Sequence, residues 1–264
     1  MVSTSFCYTG SGGMTVTHEP YKRILPEADT AVLFIHGIVG TPNHFRDLIG
    51  LEELVPENWS VHNILLEGHG GNVEDFSASS MKKWKSGVRT AYAELAQNHD
   101  RVMVVGHSMG TLFALQLGVE FPDKIPQLFL LAVPLRPGVR LGMAWDCLRM
   151  VFGKLPEDHV LRKAAGVTTT RKIWKYLGWI PRFLELFREI SHTERILKDL
   201  KVPCVAYQSQ KDELVRNSAG KVLERSGVVE VHNLIRSSHF YYDPENRDRV
   251  EQDFANCVIK LSHD

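Results

Sequence analysis

A serine lies between two glycines at the point where an apolar run changes into a helical pattern. The stretch over 104–111 reads VVGHSMGT and centres on Ser108. Its pattern predicts a strand over 101–105, a tight turn and then a helix over 111–119. Small residues two positions before and two positions after the serine allow such a sharp strand-to-helix turn, which exposes the hydroxyl above a sheet. Ser108 is therefore a candidate nucleophile.

A serine hydroxyl needs a base to remove its proton and an acid to orient that base, so a histidine and a carboxylate are expected further along the chain. Asp212 follows one apolar run and His239 follows the next. Because the carboxyl ends of parallel strands meet at one edge of a sheet, both side chains can approach Ser108. Two acids compete with Asp212: Asp199, which precedes a strand, and Glu213, which is its neighbour. Two histidines compete with His239: His232, which lies within a strand, and His263, which lies in the C-terminal tail.

Backbone N–H groups can stabilise the negative charge that develops on a carbonyl oxygen during attack by a serine. One such group begins the helix after Ser108, where the helix dipole adds positive potential. Another lies in the glycine-containing loop HGIVGT, which follows an earlier apolar run. We expect the N–H groups of Ile38 and Met109 to form this oxyanion hole. The neighbouring histidines are interpreted as loop-shaping or packing residues, not as bases: His36, His69 and His107.

Apolar runs that favour buried parallel strands alternate with helical patterns along most of the chain. The runs cover 31–35, 61–66, 102–105, 128–133, 205–207 and 228–235. Apolar residues at helical spacing from Met81 to Leu95 predict one helix, which Ser79 or Ser80 can cap. Apolar residues with the same spacing from Val250 to Leu261 predict another. This alternation predicts an α/β fold, a doubly wound and mostly parallel sheet.

The alternation stops at about Pro134 and resumes at about Val202. We therefore divide the chain into a first core part (1–133), an inserted helical cap (134–201) and a second core part (202–264). The insertion is rich in aromatic residues, which would form its own core and its contact with the sheet, and some would roof Ser108. It is also rich in Lys and Arg. A solvated basic face is the favoured interpretation, and anion binding is the alternative.

Composition limits the class of protein. The 264 residues are 44% hydrophobic, and 31 Lys and Arg residues balance 31 Asp and Glu residues, so no overall field recruits nucleic acid. A small hydrophobic molecule is the expected partner. The sequence begins without a basic and apolar leader, and no run approaches the roughly 18 apolar residues of a membrane span. We expect a cytoplasmic protein without stable membrane insertion. Four scattered cysteines, including Cys7, indicate reduced thiols, and no cofactor or metal motif is recognised.

Five short motifs occur in an order that resembles the serine α/β-hydrolases. They are His36-Gly37, Gly68-His69-Gly70, the turn from Gly106 to Gly110, Asp212-x-x-Val215 and His239. The chain is most similar to bacterial carboxylesterases and monoacylglycerol lipases. This resemblance implies the α/β-hydrolase fold and a catalytic triad of Ser108, Asp212 and His239. It departs from many relatives at Ser238, where glycine is common, and at Ile38, where an aromatic residue is common.

The expected activity is hydrolysis of carboxylic esters with small to medium acyl chains through an acyl-enzyme intermediate. The same groups would also serve reactions on a thioester, an amide or a carbon–carbon bond, or acyl transfer to an alcohol. A non-catalytic receptor for a small ligand is the alternative of another class. Competing alcohols separate transfer from hydrolysis, and recovery of unchanged ligand would indicate a receptor.

Overall fold

The computed structural model describes residues 18–263. Residues 1–17 and 264 lie outside the described part of the chain. The expectations that the N-terminus carries no leader and that Cys7 is a reduced thiol therefore also lie outside the described residues.

Within residues 18–263, seven strands form one sheet in the order β1-β3-β2-β4-β5-β6-β7. Their bounds are β1 Tyr21–Arg23, β2 Thr30–Ile35, β3 Ser60–Ile64, β4 Arg101–His107, β5 Leu128–Leu131, β6 Cys204–Ser209 and β7 Val229–Leu234. β1 pairs antiparallel with β3, and every other pairing is parallel. The prediction of a mostly parallel sheet is confirmed. β1 was not predicted, because its three residues are exposed or half-buried and carry no apolar pattern.

The continuous apolar runs are explained by a sheet that is covered on both of its faces. Every residue of β2 is buried, but alternate side chains join different cores. Leu33 and Ile35 pack in one hydrophobic cluster, whereas Val32 and Phe34 pack in the other. A strand buried on both faces therefore shows no alternation of polar and apolar residues.

Residues 18–263 contain eight α-helices. They are α1 Val73–Ala78, α2 Met81–Asn98, α3 Met109–Glu120, α4 Leu141–Val151, α5 Val160–Ala164, α6 Ile180–Ile196, α7 Ser218–Glu224 and α8 Pro244–His263 among the described residues. Helices α2, α3 and α7 contribute to the core on one face, and α8 contributes to the core on the other. The hydroxyl of Ser80, one of the two caps expected from the sequence, caps α2 by accepting a hydrogen bond from the N–H of Lys83. Helices on both faces make the sheet doubly wound.

The segment 134–201, called the insertion below, connects β5 to β6. It contains α4, α5, a 3₁₀ segment at Ile173–Trp179, α6 and a final 3₁₀ turn. Its backbone is attached to two loops of the core at Gly166. The N–H of Gly166 donates to the carbonyl of Val39 at 2.7 Å, and the carbonyl of Gly166 accepts from the N–H of Gly70 at 2.6 Å. Across residues 18–263, no helix is both long and apolar enough to cross a membrane.

Candidate active site

Ser108 occupies a strained turn between β4 and α3. Its φ of 51° and ψ of −122° lie in a region that residues with a side chain seldom adopt. The flanking glycines make this turn possible. A Cβ on Gly106 would lie 2.8 Å from the backbone of Thr111, and a Cβ on Gly110 would lie 1.9 Å from the carbonyl oxygen of Ile35. Only glycine therefore lets α3 start so close to β4 and to the end of β2.

A buried chain of hydrogen bonds joins Ser108, His239 and Asp212. The Oγ of Ser108 lies 3.1 Å from Nε2 of His239, and Nδ1 of His239 lies 2.8 Å from Oδ2 of Asp212. Because Nδ1 faces the carboxylate, it carries the ring proton and leaves Nε2 free to accept the proton of the serine hydroxyl. Ser108 is 8% exposed, Asp212 2% and His239 1%, so the chain is almost fully shielded from water.

The backbone after β6 fixes the carboxylate of Asp212. Its Oδ1 accepts hydrogen bonds from the N–H groups of Leu214 and Val215, both at 2.8 Å. The neighbouring Glu213, the rival acid in the sequence, does something different: its Oε2 accepts from the backbone N–H of His239 at 3.1 Å. The two adjacent carboxylates thus hold the side chain and the backbone of the same histidine.

The loop after β2 lies directly beside Ser108. A Cβ on Gly37 would lie 2.8 Å from the Cβ of Ser108, so the next residue, Ile38, adjoins the serine. Met109 follows Ser108 and begins α3. Within the described residues, neither the N–H of Ile38 nor that of Met109 donates a hydrogen bond. Both N–H groups are therefore available to an oxygen atom beside the serine.

Two histidines brace this loop through defined tautomers. Nε2 of His36 accepts from the N–H of Leu66 at 3.0 Å, and Nε2 of His69 accepts from the N–H of Val39 at 3.1 Å. Burial lowers the pKa of His36 well below its ordinary value and lowers that of His69 to about 4. Both rings are neutral at pH 7, in agreement with the loop-shaping interpretation.

His107 packs, as expected, and its ring stacks on His44, a residue that the sequence analysis did not single out. The rings of His44 and His107 stack with centroids 3.6 Å apart. Nε2 of His107 lies 3.1 Å from the carbonyl oxygen of His239, to which it donates, and His44 hydrogen-bonds the hydroxyl of Tyr242 at 3.1 Å. Burial lowers the pKa of His44 to about 3, so this ring is uncharged near neutrality. The stack therefore supports the loop that carries His239.

Ser237 fastens the other side of that loop. Its hydroxyl is fully buried and accepts hydrogen bonds from the N–H of Asp243 and the side-chain amide of Asn246, both at 3.1 Å. These bonds attach the loop to the beginning of α8. Of the two serines before His239, Ser237 thus positions the loop through its hydroxyl.

The insertion contacts the core at two places near the hydrogen-bonded chain. Gly166 is bonded to the loop of Val39, as described above. On the other side, Met143 and Leu161 form a small apolar cluster against which Phe240 packs, and the ring of Phe240 meets that of His239 edge-on at 4.6 Å. The insertion is thus anchored close to Ile38 and close to His239. No group of His, Cys, Asp and Glu side chains in residues 18–263 is arranged to hold a metal ion.

Comparison with known sequences agrees with this geometry. Residues 32–253 match the model of the alpha/beta hydrolase family. The chain is 26% identical over 216 residues to a thermostable monoacylglycerol lipase of Bacillus sp. (strain H-257), covering 80% of this chain and 82% of the relative. It is 22% identical over 266 residues to a carboxylesterase of Bacillus subtilis (strain 168), covering 93% and 98% of the two chains.

Solved structures of lipolytic enzymes share the fold. A structure from work on the metagenome-derived lipolytic enzymes LipS and LipT superposes with a TM-score of 0.71 at 21% identity, covering 92% of this chain and 98% of the other. The monoacylglycerol lipase of Paleococcus ferrophilus gives a TM-score of 0.64 at 15% identity, covering 92% and 99%. The family match, the sheet topology and the turn at Ser108 lead to one conclusion: this chain belongs to the alpha/beta hydrolase family.

Proposed function

We propose that the protein is a serine hydrolase that cleaves carboxylic esters of small to medium acyl chain length. The observation that carries this proposal is the buried chain from Ser108 through His239 to Asp212, beside two unengaged N–H groups. A nucleophile, a base, an orienting acid and an oxyanion site are together the groups that acyl transfer requires. The names of the relatives, a monoacylglycerol lipase and a carboxylesterase, support an ester as the substrate.

The first half of the reaction forms an acyl-enzyme. Ser108 Oγ attacks the ester carbonyl carbon while Nε2 of His239 takes the hydroxyl proton, and the carbonyl electron pair moves onto the oxygen. The N–H groups of Ile38 and Met109 stabilise that oxyanion. When the carbonyl re-forms, the bond to the alcohol oxygen breaks, and His239 donates its proton to the leaving alcohol. Asp212 remains ionised and stabilises the imidazolium during both transfers.

The second half repeats these steps with water in place of serine. His239 removes a proton from the water as its oxygen attacks the acyl carbon, and the same two N–H groups hold the second oxyanion. Collapse breaks the bond to Ser108, whose oxygen recovers the proton from His239. The products are a carboxylic acid and the free enzyme, and the two halves consume one water for each ester.

In this proposal the insertion (134–201) serves as a cap over Ser108. Its anchors at Gly166 and at the cluster of Met143 and Leu161 bracket the serine, which is only 8% exposed. Ile38 and Val39, in the loop beside Ser108, are apolar and half-buried against the main core. An enclosure of this kind excludes water from the oxyanion and favours apolar acyl groups over charged ones.

Hydrolysis rates on p-nitrophenyl esters from acetate to palmitate test the proposal. The Ser108→Ala and His239→Ala variants should each lose about 10⁴-fold or more of the turnover. Ser191→Ala, which changes an exposed hydroxyl on α6, is the matched control and should keep the full rate. Normal turnover in Ser108→Ala would refute the mechanism. Rates that peak at an intermediate chain length are expected, and a peak at palmitate would refute the stated acyl range.

The same assay separates the alternatives that share this site. Adding an alcohol such as methanol would convert acid product into ester product if acyl transfer dominates. Thioester analogues of the best p-nitrophenyl acyl chain would be cleaved faster than the oxygen ester if the enzyme is a thioesterase. Quantitative recovery of every ester unchanged, with saturable binding, would identify a receptor and overturn the proposal.

A further inference from the structure

The first helix of the insertion carries an apolar stripe on its solvent side. Leu141, Trp145, Leu148 and Phe152 are spaced by four, three and four residues, and they are 90%, 64%, 50% and 44% exposed. The opposite side of α4 is occupied by Met143, which is buried against the core of the insertion. A helix that packs on one side normally presents polar residues on the other. α4 instead presents large apolar residues to water.

The second half of the insertion repeats this feature. Ile180, Leu184 and Phe187 on α6 follow the same spacing and are about half exposed. In the preceding 3₁₀ segment, Ile173, Trp174 and Leu177 are each at least 60% exposed. The side chain of Arg171, two residues before this segment, reaches the end of α4, because a Cβ on Gly153 would lie 3.7 Å from its guanidinium. The residues of the two stripes and the 3₁₀ segment are called the apolar face below.

The insertion, which carries the apolar face, has a net positive charge. The insertion contains 14 Lys and Arg residues and 7 Asp and Glu residues, so it carries +7, whereas the rest of the chain carries −7. The neutral net charge of the protein conceals this division. Four exposed cations adjoin the apolar residues in sequence: Arg140, Lys154, Arg171 and Lys172. Among residues 18–263, none of these four forms an ion pair.

We propose that the apolar face docks on the surface of an anionic phospholipid bilayer. Leu, Ile and Phe side chains would enter the boundary between headgroups and acyl chains, where the indoles of Trp145 and Trp174 are favoured. The unpaired cations would meet the lipid phosphates and carboxylates, and the charge of the insertion makes an anionic surface the complementary one. This is contact in the plane of the membrane surface, in agreement with the absence of a spanning helix in the described chain.

The exposed large hydrophobic residues are concentrated in the insertion and are not spread evenly over the protein surface. Eleven of the sixteen exposed large hydrophobic residues in the described chain lie between Val139 and Phe187. On the core, exposed residues such as Ile235 and Ile259 stand singly, which is usual for a protein surface. A concentration of exposed apolar residues within one segment is by contrast typical of an interaction site.

Flotation with lipid vesicles tests the proposal. The Ser108→Ala chain is used throughout, so that binding is measured without turnover and independently of the proposed ester hydrolysis. It should float with vesicles of phosphatidylcholine and phosphatidylglycerol (7:3) far more than with phosphatidylcholine alone. Raising the salt concentration should weaken binding, since surface attraction falls within a Debye length. Failure to bind the anionic vesicles, or equal binding to both compositions, would overturn the proposal.

Paired variants separate the two contributions. Trp145→Ser with Leu148→Ser should weaken vesicle binding at least about tenfold, because two large apolar side chains are lost from the interface. Arg171→Gln with Lys172→Gln should weaken it about 25-fold, at about fivefold for each cation. The matched control, Ile235→Ser with Ile259→Ser, removes two equally exposed apolar residues from the core and should bind normally.

Sedimentation velocity distinguishes the bilayer from a second copy of the chain. The proposal expects a monomer in solution whose sedimentation coefficient does not change in the Trp145→Ser and Leu148→Ser variant. A dimer that this variant dissociates would show that another copy covers the apolar face, and the bilayer proposal would then be wrong. Unchanged vesicle binding in both paired variants would overturn it equally.

Discussion

Replacing Gly110 by alanine tests whether the turn at Ser108 depends on close approach of α3 to β2. The new Cβ would lie 1.9 Å from the carbonyl oxygen of Ile35 and 2.6 Å from its carbonyl carbon. Real Cβ atoms essentially never approach other atoms within 3.0 Å, so α3 and the end of β2 must separate by about 1.1 Å. Both neighbours are backbone, and neither can rotate away as a flexible side chain would.

This displacement acts on both stability and activity. Overpacking of this kind costs about 1–3 kcal/mol, while the higher helix propensity of alanine returns about 1 kcal/mol. We expect a net loss of about 1 kcal/mol in the free energy of unfolding, which lowers the Tm by roughly 2–4 °C in a chain of this size. A misplacement of about 1 Å at Ser108 should lower kcat/KM about 100-fold.

Gly87→Ala is the matched control, because Gly87 also lies within a helix but a Cβ there would meet nothing within 4 Å. It should raise the free energy of unfolding by up to about 1 kcal/mol and leave kcat/KM unchanged. The assays are urea unfolding and initial rates on the best p-nitrophenyl ester. A Gly110→Ala variant with wild-type kcat/KM and stability would refute the argument for the turn.

Two further substitutions address the acid and the ring stack. Asp212→Asn should lower kcat about 10⁴-fold, because an amide can stabilise the wrong tautomer of His239. An unchanged far-UV circular dichroism spectrum would show that the fold is intact, and near-normal rates would contradict the role of Asp212. His44→Phe leaves the buried hydroxyl of Tyr242 without its partner and should cost about 1–3 kcal/mol at pH 7, whereas no loss would show that this bond is dispensable. Since the folded pKa of His44 is about 3 and the unfolded value is near 6.5, unfolding takes up a proton between these values, and stability falls as the pH drops through that window. In urea unfolding at pH 5 and pH 7, His44→Phe should therefore lose less stability than the wild type on acidification, and an equal loss would contradict the buried neutral ring.

The sheet was predictable because its central strands are buried on both faces. A run such as 128–131 can be recognised because it is short, apolar and repeated between helical patterns, as the strands of a sheet covered on both faces are. The short edge strand β1 has no such constraint, because it needs only backbone pairing with β3. Its existence depends on tertiary contact that local sequence does not contain.

The candidate site was predictable to the extent that it follows chain order. Ser108, Asp212 and His239 each come after a strand, and parallel topology brings such positions to one edge of the sheet; their chemical roles stay a prediction. The bond between His44 and Tyr242 spans 198 positions, and no spacing or pattern links the two residues, so sequence offered no signal for their contact.

The orientation of the insertion was not predictable for a different reason. α4 carries apolar residues on both sides, with Met143 buried and Trp145 exposed. Periodicity shows which face of a helix is apolar only when the other face is polar. With two apolar faces, the sequence does not tell which one packs on the core, and the exposed stripe became visible only in three dimensions.

Covalent labelling of the serine tests the central claim most directly. A fluorophosphonate probe reacts with a serine that an adjacent base activates, and mass spectrometry of the digested protein identifies the modified residue. The account predicts a single adduct on Ser108, formed in step with loss of ester hydrolysis and absent from the His239→Ala variant. Ester hydrolysis that persists after full labelling of Ser108, or an adduct on a different residue that tracks the loss of activity, would contradict it.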